Sequence, residues 1–156
     1  MQFFIDRDTL LKPLQMVSGA IERRHTLPIL SNVLLDVTQD QIALTGTDLE
    51  IELVAAAFPQ QVITPGRVTI PAKKLLDICR SLPESCVLTL QLQGDNCVVS
   101  TGKSKFTLAT LSASDYPNLE SWQGEVEFEL SRIQLRKLME DTAFSMANQD
   151  VRYYLN

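Results

Sequence analysis

Acidic side chains recur at every second residue from Asp48 to Glu52, and this is the first spacing in the chain that could carry chemistry. In a β-strand, Asp48, Glu50 and Glu52 would project from one face, where carboxylates can bind a divalent cation. No histidine lies near them, since the only one is His25. We interpret the three acids as the solvated face of a sheet. The alternative, an acid-cluster hydrolase, would require metal-dependent cleavage of a phosphodiester.

The sequence Gly102-Lys103-Ser104 has the form of the end of a phosphate-binding loop. That motif needs a glycine five residues before its second glycine, where this chain has Cys97, and it needs a helix afterwards. The residues that follow alternate as a strand does. We therefore reject a nucleotide site here.

Cysteine and histidine offer no catalytic or metal-binding constellation. The three cysteines, Cys79, Cys86 and Cys97, are odd in number and contain no Cys-x-x-Cys pair. We expect small buried hydrophobic residues in a reducing compartment. His25 has no acid or nucleophile partner in its segment. We expect no catalytic residues, no metal and no cofactor, so a protein without enzymatic activity is favoured.

Composition predicts a globular, cytoplasmic protein with no membrane role. The 156 residues are 45% hydrophobic and 21% charged, enough to bury a core without disulfides. The first residues lack the basic and apolar regions of a signal peptide. No apolar run approaches the roughly 18 residues of a membrane span.

Charge is distributed unevenly along the chain. The net charge is −5, yet three predicted helices hold eight basic residues against four acids, a net +4 that leaves −9 elsewhere. Helices that share one side of the sheets would make that side positive. A local positive surface can bind a polyanion. The alternative is that lysine and arginine simply occupy solvated helix faces.

The chain runs one structural course twice. Each course is a strand, an amphipathic helix and then alternating strands. Leu10, Leu11, Leu14 and Val17 have the same spacing as Leu75, Leu76, Cys79 and Leu82, the rhythm of one helix face. The pattern predicts strands at Phe3–Ile5 and Val68–Ile70, helices at Arg7–Val17 and Ala72–Ser81, and a turn or crossover from Pro59 to Gly66. We expect the two helices side by side on one face, with their basic residues outward.

A third course starts after a linker that begins near Asp115. It predicts a strand over Glu125–Leu130 and a helix over Ser131–Met146, with Ser131 and Gln134 as a capping box. A further strand would begin at Val151.

Two exposed dipeptides are candidate contacts. Arg23-Arg24 lies in a polar connector, and Tyr153-Tyr154 would face opposite sides of a strand, so one of them can meet a partner. The alternatives are a solvated loop and a core tyrosine.

Several long segments resemble one known family throughout the chain. They are Thr26-Leu27-Pro28-Ile29-Leu30, Leu44-Thr45-Gly46-Thr47-Asp48-Leu49-Glu50, Tyr116-Pro117-Asn118 and the run from Gln149 to Asn156. They look like the bacterial sliding clamps, the beta subunits of the DNA polymerase III holoenzyme. The resemblance implies an α+β DNA-clamp fold, each domain being two β-α-β-β-β repeats with helices on one face of antiparallel sheets. Residues 1–124 would be domain one and residues 125–156 the start of domain two.

The resemblance also implies partners and site residues. A homodimeric head-to-tail ring would encircle double-stranded DNA without reading sequence and would bind DNA polymerase and clamp-loader subunits. DNA contacts would fall on Arg24, Lys73, Gln149, Tyr153 and Tyr154. The dimer interface would fall on Lys74, Lys103, Lys105, Phe106 and Leu108. Leu155 would belong to part of the peptide pocket.

We therefore expect a processivity factor for replication. The alternative is an interaction module with the clamp fold and no DNA role. We also expect Phe106 and Leu108 to lie on an exposed edge strand, flanked by Lys103 and Lys105. Apolar residues on an edge strand are a pairing liability unless a partner covers them.

Overall fold

The structure is a computed structural model and describes residues 1–21, 27–117, 126 and 128–147. The chain divides into two units, Met1–Leu119 and Glu120–Asn156, and each is described by itself. The domain boundary after residue 124 stays a prediction.

The first unit opens with the first β-α-β-β-β course. Its elements are strand β1 (Gln2–Asp6), helix α1 (Arg7–Val17), a 3-10 turn (Ser18–Ala20), a second 3-10 turn (Pro28–Ser31) and strands β2 (Asn32–Val37), β3 (Ile42–Thr47) and β4 (Glu52–Ala57). The predicted bounds of α1 are confirmed. Leu10, Leu14 and Val17 are buried at helical spacing, as an amphipathic helix requires, and Leu11 is half-buried.

The second course repeats the first 65 residues later, counting from the start of one helix to the start of the other. It consists of β6 (Gly66–Pro71), α2 (Ala72–Ser81), β7 (Val87–Gln93), β8 (Asn96–Thr101) and β9 (Ser104–Ala109). The bounds of α2 are also confirmed. Two-residue turns join the last three strands, and Gly94 and Gly102 occupy them with φ of +58° and +50°, a conformation that favours glycine.

The segment between the two courses contains a strand that the sequence did not predict. Residues 59–66 were predicted to be a turn or crossover, but Gln61–Thr64 form β5, which pairs with β1. The prediction was wrong because the segment is short and flanked by Pro59 and Pro65. Its side chains are mostly exposed, so it lacks the apolar alternation that identifies a half-buried strand.

The strands form two antiparallel sheets, and each sheet contains strands from both courses. The order is β5-β1-β7-β8-β9 in the five-stranded sheet and β4-β3-β2-β6 in the four-stranded sheet. Within the described residues β9 and β4 are therefore edge strands. The two courses are interleaved rather than separate.

One hydrophobic core joins the helices to both sheets. Leu10 and Leu14 of α1, Leu75 of α2, Leu90 of the five-stranded sheet and Leu44 of the four-stranded sheet are fully buried in one cluster. Helix α1 also contacts α2 directly. The prediction that the two helices lie side by side on one face of the sheets is confirmed.

A buried polar network fastens the segment after β9 to the four-stranded sheet. The amide of Asn32 donates to the hydroxyl of Thr69 (3.0 Å), which donates to the carbonyl of Leu111 (3.0 Å). The hydroxyl of Tyr116 donates to the carbonyl of Thr45 at 3.2 Å. Burial raises the pKa of Tyr116 to about 12, so the phenol remains a donor at neutral pH.

The second unit contains helix α3 (Arg132–Ala143), which is shorter than predicted. The capping box is confirmed, because Ser131 accepts from the amide of Gln134 and the Gln134 side chain accepts from the amide of Ser131. The predicted strand is not observed: residues 126 and 128–130 belong to no strand. A strand needs a partner for its backbone groups, and the described residues of this unit provide none. The strand predicted from Val151 lies outside the described residues.

Gly46 permits the end of α1 to approach β3. A Cβ at this position would stand 2.6 Å from the carbonyl oxygen of Val17 and 3.0 Å from the side chain of Ile21. We predict that Gly46→Ala lowers the free energy of unfolding by about 1–3 kcal/mol, because the buried backbone must move to remove the clash. Urea denaturation of the chain measures the loss.

Gly19→Ala is the control, since its Cβ would meet only Leu53 at an ordinary 3.8 Å. Equal stability of the Gly46→Ala variant and the parent would show that the close approach imposes no constraint.

Candidate nucleic-acid interface

Four cations stand on the outward faces of the helix pair. Because the apolar faces of α1 and α2 enter the core, Lys12, Lys73, Lys74 and Arg80 are left exposed. No described acidic side chain forms an ion pair with any of them. We call these four residues the helix-face cations. Their arrangement supplies positive charge for an extended polyanion and no group that reads base edges.

Lys73 and Arg80 share one flank of α2. They are seven residues apart, two helical turns, which places them roughly 10 Å apart along the axis. Exposed Asp77 lies between them, four residues after Lys73. The negative charge in the row lowers the attraction of this surface for an anion.

Arg7 is not one of the outward cations, contrary to the prediction from sequence. Its side chain is only 12% exposed, and its Nε donates to the carbonyl of Cys79 at 2.6 Å. That carbonyl belongs to the last turn of α2, where carbonyls lack partners within the helix and a cation is favourable. Arg7 therefore caps α2 from the first residue of α1.

Asp8 completes this contact between the helices. One carboxylate oxygen accepts from the Arg7 guanidinium, and the other accepts from the amide of Ser85 at 3.1 Å. The bond to Arg7, followed by the bond from Ser85, lowers the pKa of Asp8 below its ordinary value, and the same pair raises the pKa of Arg7. The amide of Arg7 also donates to the carbonyl of Cys86 at 2.9 Å. We call this group of contacts the Arg7–Asp8 clasp.

Five of the predicted site residues cannot be located relative to this surface. Arg24, Gln149, Tyr153, Tyr154 and Leu155 lie outside the described residues. Among the predicted DNA contacts, the structure places only Lys73, at the beginning of α2. The DNA-binding roles of Arg24, Lys73, Gln149, Tyr153 and Tyr154, and the pocket role of Leu155, stay predictions.

The predicted interface residues cluster on and beside β9. Exposed Lys103 occupies the turn before the strand, and exposed Lys105 lies on it. The edge position of the strand is confirmed. Exposed Lys74 lies apart from them on α2.

Phe106 and Leu108 lie on the edge strand as predicted, but their side chains are not exposed. Phe106 is half-buried and Leu108 is 6% exposed. The strand register explains this, because Leu108 is opposite Cys97 and Phe106 is opposite Val99, both on the core face of the sheet. Alternation along an edge strand predicts two faces but does not say which face the core covers.

The structure supports neither the acid-cluster hydrolase nor the solvated sheet face that was predicted for Asp48, Glu50 and Glu52. Asp48 and Glu50 lie in the turn between β3 and β4, where Asp48 accepts from the amides of Glu50 and Ile51, so the three acids do not line one strand face. Lys103 follows the positive-φ Gly102 in a hairpin turn, so no helix follows Gly102-Lys103-Ser104 as a phosphate-binding loop requires.

Burial raises the pKa values of Cys79 and Cys97 to about 11, which disfavours thiolate chemistry. Across residues 1–21, 27–117, 126 and 128–147, no group of three metal-ligating side chains is present.

The part of the chain that the structure describes has no helix long and apolar enough to span a bilayer.

Comparison with known proteins identifies the family to which this chain belongs. Residues 1–120 match the family described as the N-terminal domain of the DNA polymerase III beta subunit. The chain belongs to this family. Its fold is the α+β clamp fold: a solved Pseudomonas aeruginosa DNA polymerase III subunit beta aligns over the whole chain with a TM-score of 0.93 and 49% identity, using 42% of that chain.

Other relatives give the same result. The Vibrio cholerae protein named beta sliding clamp is 54% identical over all 156 residues, and that of Escherichia coli K12 is 53% identical. A solved Caulobacter crescentus pol III beta has a TM-score of 0.93 at 36% identity. The chain spans about 43% of the length of the curated relatives it matches.

The Arg7–Asp8 clasp makes a pH-dependent prediction. The folded-state pKa of Asp8 lies below its ordinary value, chiefly because of the bond to Arg7. Its contribution to stability is therefore present above that ordinary pKa and disappears as the pH falls through the lower folded value. We expect the difference in unfolding free energy between the parent and Asp8→Asn to be largest near neutral pH. This difference should approach zero in acid, where Asp8 is protonated. Urea denaturation at a series of pH values measures it.

Asp77→Asn is the matched control, an exposed aspartate on the other helix that is in no described ion pair. Its free energy of unfolding should follow that of the parent. A difference for Asp8→Asn that does not vary with pH would contradict the role of the carboxylate charge.

Proposed function

We propose that this chain is part of a DNA sliding clamp, a ring that encircles duplex DNA and keeps the replicative polymerase on its template. The observation that carries the proposal is the set of helix-face cations on one side of a protein whose net charge is −5. A protein that binds nucleic acid loosely along its length needs such a local surface. The match to the DNA polymerase III beta subunit family supports the same function.

The mechanism is topological rather than catalytic. A closed ring cannot leave the duplex sideways, so a polymerase attached to it stays near its template. Contacts to DNA must be weak and blind to sequence, because a preferred register would stop sliding. Contacts between cations and phosphates meet this demand, and Asp77 reduces their strength. The protein would act as a processivity factor with no catalytic site and no cofactor.

The resemblance to sliding clamps supplies the remaining partners. We propose a cytoplasmic head-to-tail homodimer that docks polymerase and clamp-loader subunits, with Leu155 in part of the peptide pocket. The ring requires more chain than these 156 residues, which span about 43% of the relatives' length. Arg24, Lys73, Gln149, Tyr153 and Tyr154 would face the duplex.

The edge strand β9 would supply one side of the subunit interface. Its unpaired backbone groups can extend the sheet into a partner, and Lys103 and Lys105 add positive charge that would meet an acidic edge. Lys74, Phe106 and Leu108 stay assigned to this interface as predictions. Leu108 already packs in the core, so its truncation would lower stability whether or not it contacts a partner. The exposed lysines therefore give the cleaner measurement of the interface.

Lys73→Gln tests whether the helix face binds duplex DNA. The plot of log binding constant against log salt concentration has a negative slope. In a full-length protein that carries this sequence, we expect Lys73→Gln to make that slope less steep by about 0.9, the contribution of one phosphate contact. Stability should not change, because Lys73 is exposed at the start of α2. Equilibrium binding of a short duplex at several salt concentrations measures the slope.

Arg67→Gln is the matched control. It removes the same charge from the four-stranded sheet, on β6, where Val68 and Ile70 face the core and Arg67 pairs with Asp36. Its slope should equal that of the parent. A parent without salt-sensitive duplex binding would favour the interaction module with no DNA role.

A further inference from the structure

Arg80 is an exposed cation for which the family resemblance supplied no role. It lies in the last turn of α2 on the same flank as Lys73. No described acid is within ion-pair distance of it. If the duplex passes Lys73, a second phosphate contact roughly 10 Å further along the helix axis is available at Arg80.

The two repeats differ at the positions of Lys73 and Arg80. In the 65-residue offset that relates them, Lys73 corresponds to Asp8 and Arg80 corresponds to Gln15. The acid at position 8 is occupied in the Arg7–Asp8 clasp. The second helix therefore carries more of the unpaired positive charge than the first.

The turn from which Arg80 projects is held by α1. Arg7 Nε binds the carbonyl of Cys79, the residue directly before Arg80, at 2.6 Å. The Arg7 amide and the Asp8 carboxylate hold Cys86 and Ser85 in the segment that follows α2. Ser85 has a φ of +57°, a conformation that is costly for serine and needs support from its surroundings. Without the clasp, the last turn of α2 would lose the partner of the Cys79 carbonyl and would fray.

We propose that Arg80 is a further phosphate-binding residue of the DNA surface and that Arg7 is its positioning residue. Arg7 does not touch the duplex. It holds the last turn of α2, so that the Arg80 guanidinium stands in line with Lys73. The inference rests on the proposed function, because it requires that the flank of α2 that carries Lys73 and Arg80 faces DNA.

A double-mutant cycle on the full-length protein tests both parts. The parent, Arg80→Gln, Arg7→Gln and the double variant are compared by the salt dependence of binding to a short duplex. Arg80→Gln should make the salt dependence of binding less steep by about 0.9. Arg7→Gln should also lower it, and the double variant should lose no more than Arg80→Gln alone, because the two substitutions remove the same contact.

Lys12→Gln is the matched control for coupling. Lys12 is an exposed cation of α1 that makes no described bond to α2. Its effect, whatever its size, should add to that of Arg80→Gln. Arg7→Lys keeps the charge but lacks the guanidinium fork; it should reproduce the loss of Arg7→Gln, and it replaces that variant if glutamine prevents folding. Thermal unfolding of every variant shows that binding is measured on folded protein.

Each failure has a distinct meaning. If Lys73→Gln lowers the slope and Arg80→Gln does not, the assignment of Arg80 is wrong and the proposed function stands. If Arg7→Lys binds like the parent, or if the effects of Arg7 and Arg80 simply add, Arg7 does not position Arg80. If the parent shows no salt-dependent binding to duplex DNA, the proposed function itself fails.

Discussion

The burial of two helix faces in one core is the interaction on which the rest of the structure depends. Leu10 and Leu14 of α1 and Leu75 of α2 lie between the helices and both sheets. Each fully buried leucine contributes about 1.5–3 kcal/mol relative to exposure. Because the sheets interleave strands of both repeats, neither helix has a sheet of its own. The helices must lie side by side, and their polar faces must both point away from the shared core.

This constraint leaves the proposed DNA surface on the outward side of the helix pair. Once the apolar faces are buried, Lys12, Lys73, Lys74 and Arg80 form the outward side of the helix pair. Precise orientation of single groups, as in an active site, is not required for the sliding contacts that we propose. What must be fixed is the helix backbone, and the bond from Arg7 to Cys79 contributes to this. Charge and packing thus have separate roles on the same helices.

The sequence was sufficient to predict an element wherever one hydrophobic periodicity dominated. Both helices of the first unit were predicted to the residue, since their leucines repeat at helical spacing between a strand and a turn. It was insufficient where a tertiary partner decides. Arg7 was counted as a surface cation because nothing in the spacing shows that the end of α2 lies beside it. Leu108 was correctly placed on an edge strand, but its burial was not predicted, because alternation does not identify the covered face. β5 was missed because its stability comes from pairing with β1 rather than from an apolar pattern.

We propose that retention on DNA is topological. The most direct measurement loads a full-length protein that carries this sequence onto closed circular DNA with a clamp loader and then follows retention through gel filtration before and after a single double-strand cut. The account predicts that the protein stays on the circle and is lost once the DNA is linear, because it slides off the ends. Equal retention on circular and linear DNA would contradict it, since that result would mean that direct contacts hold the protein.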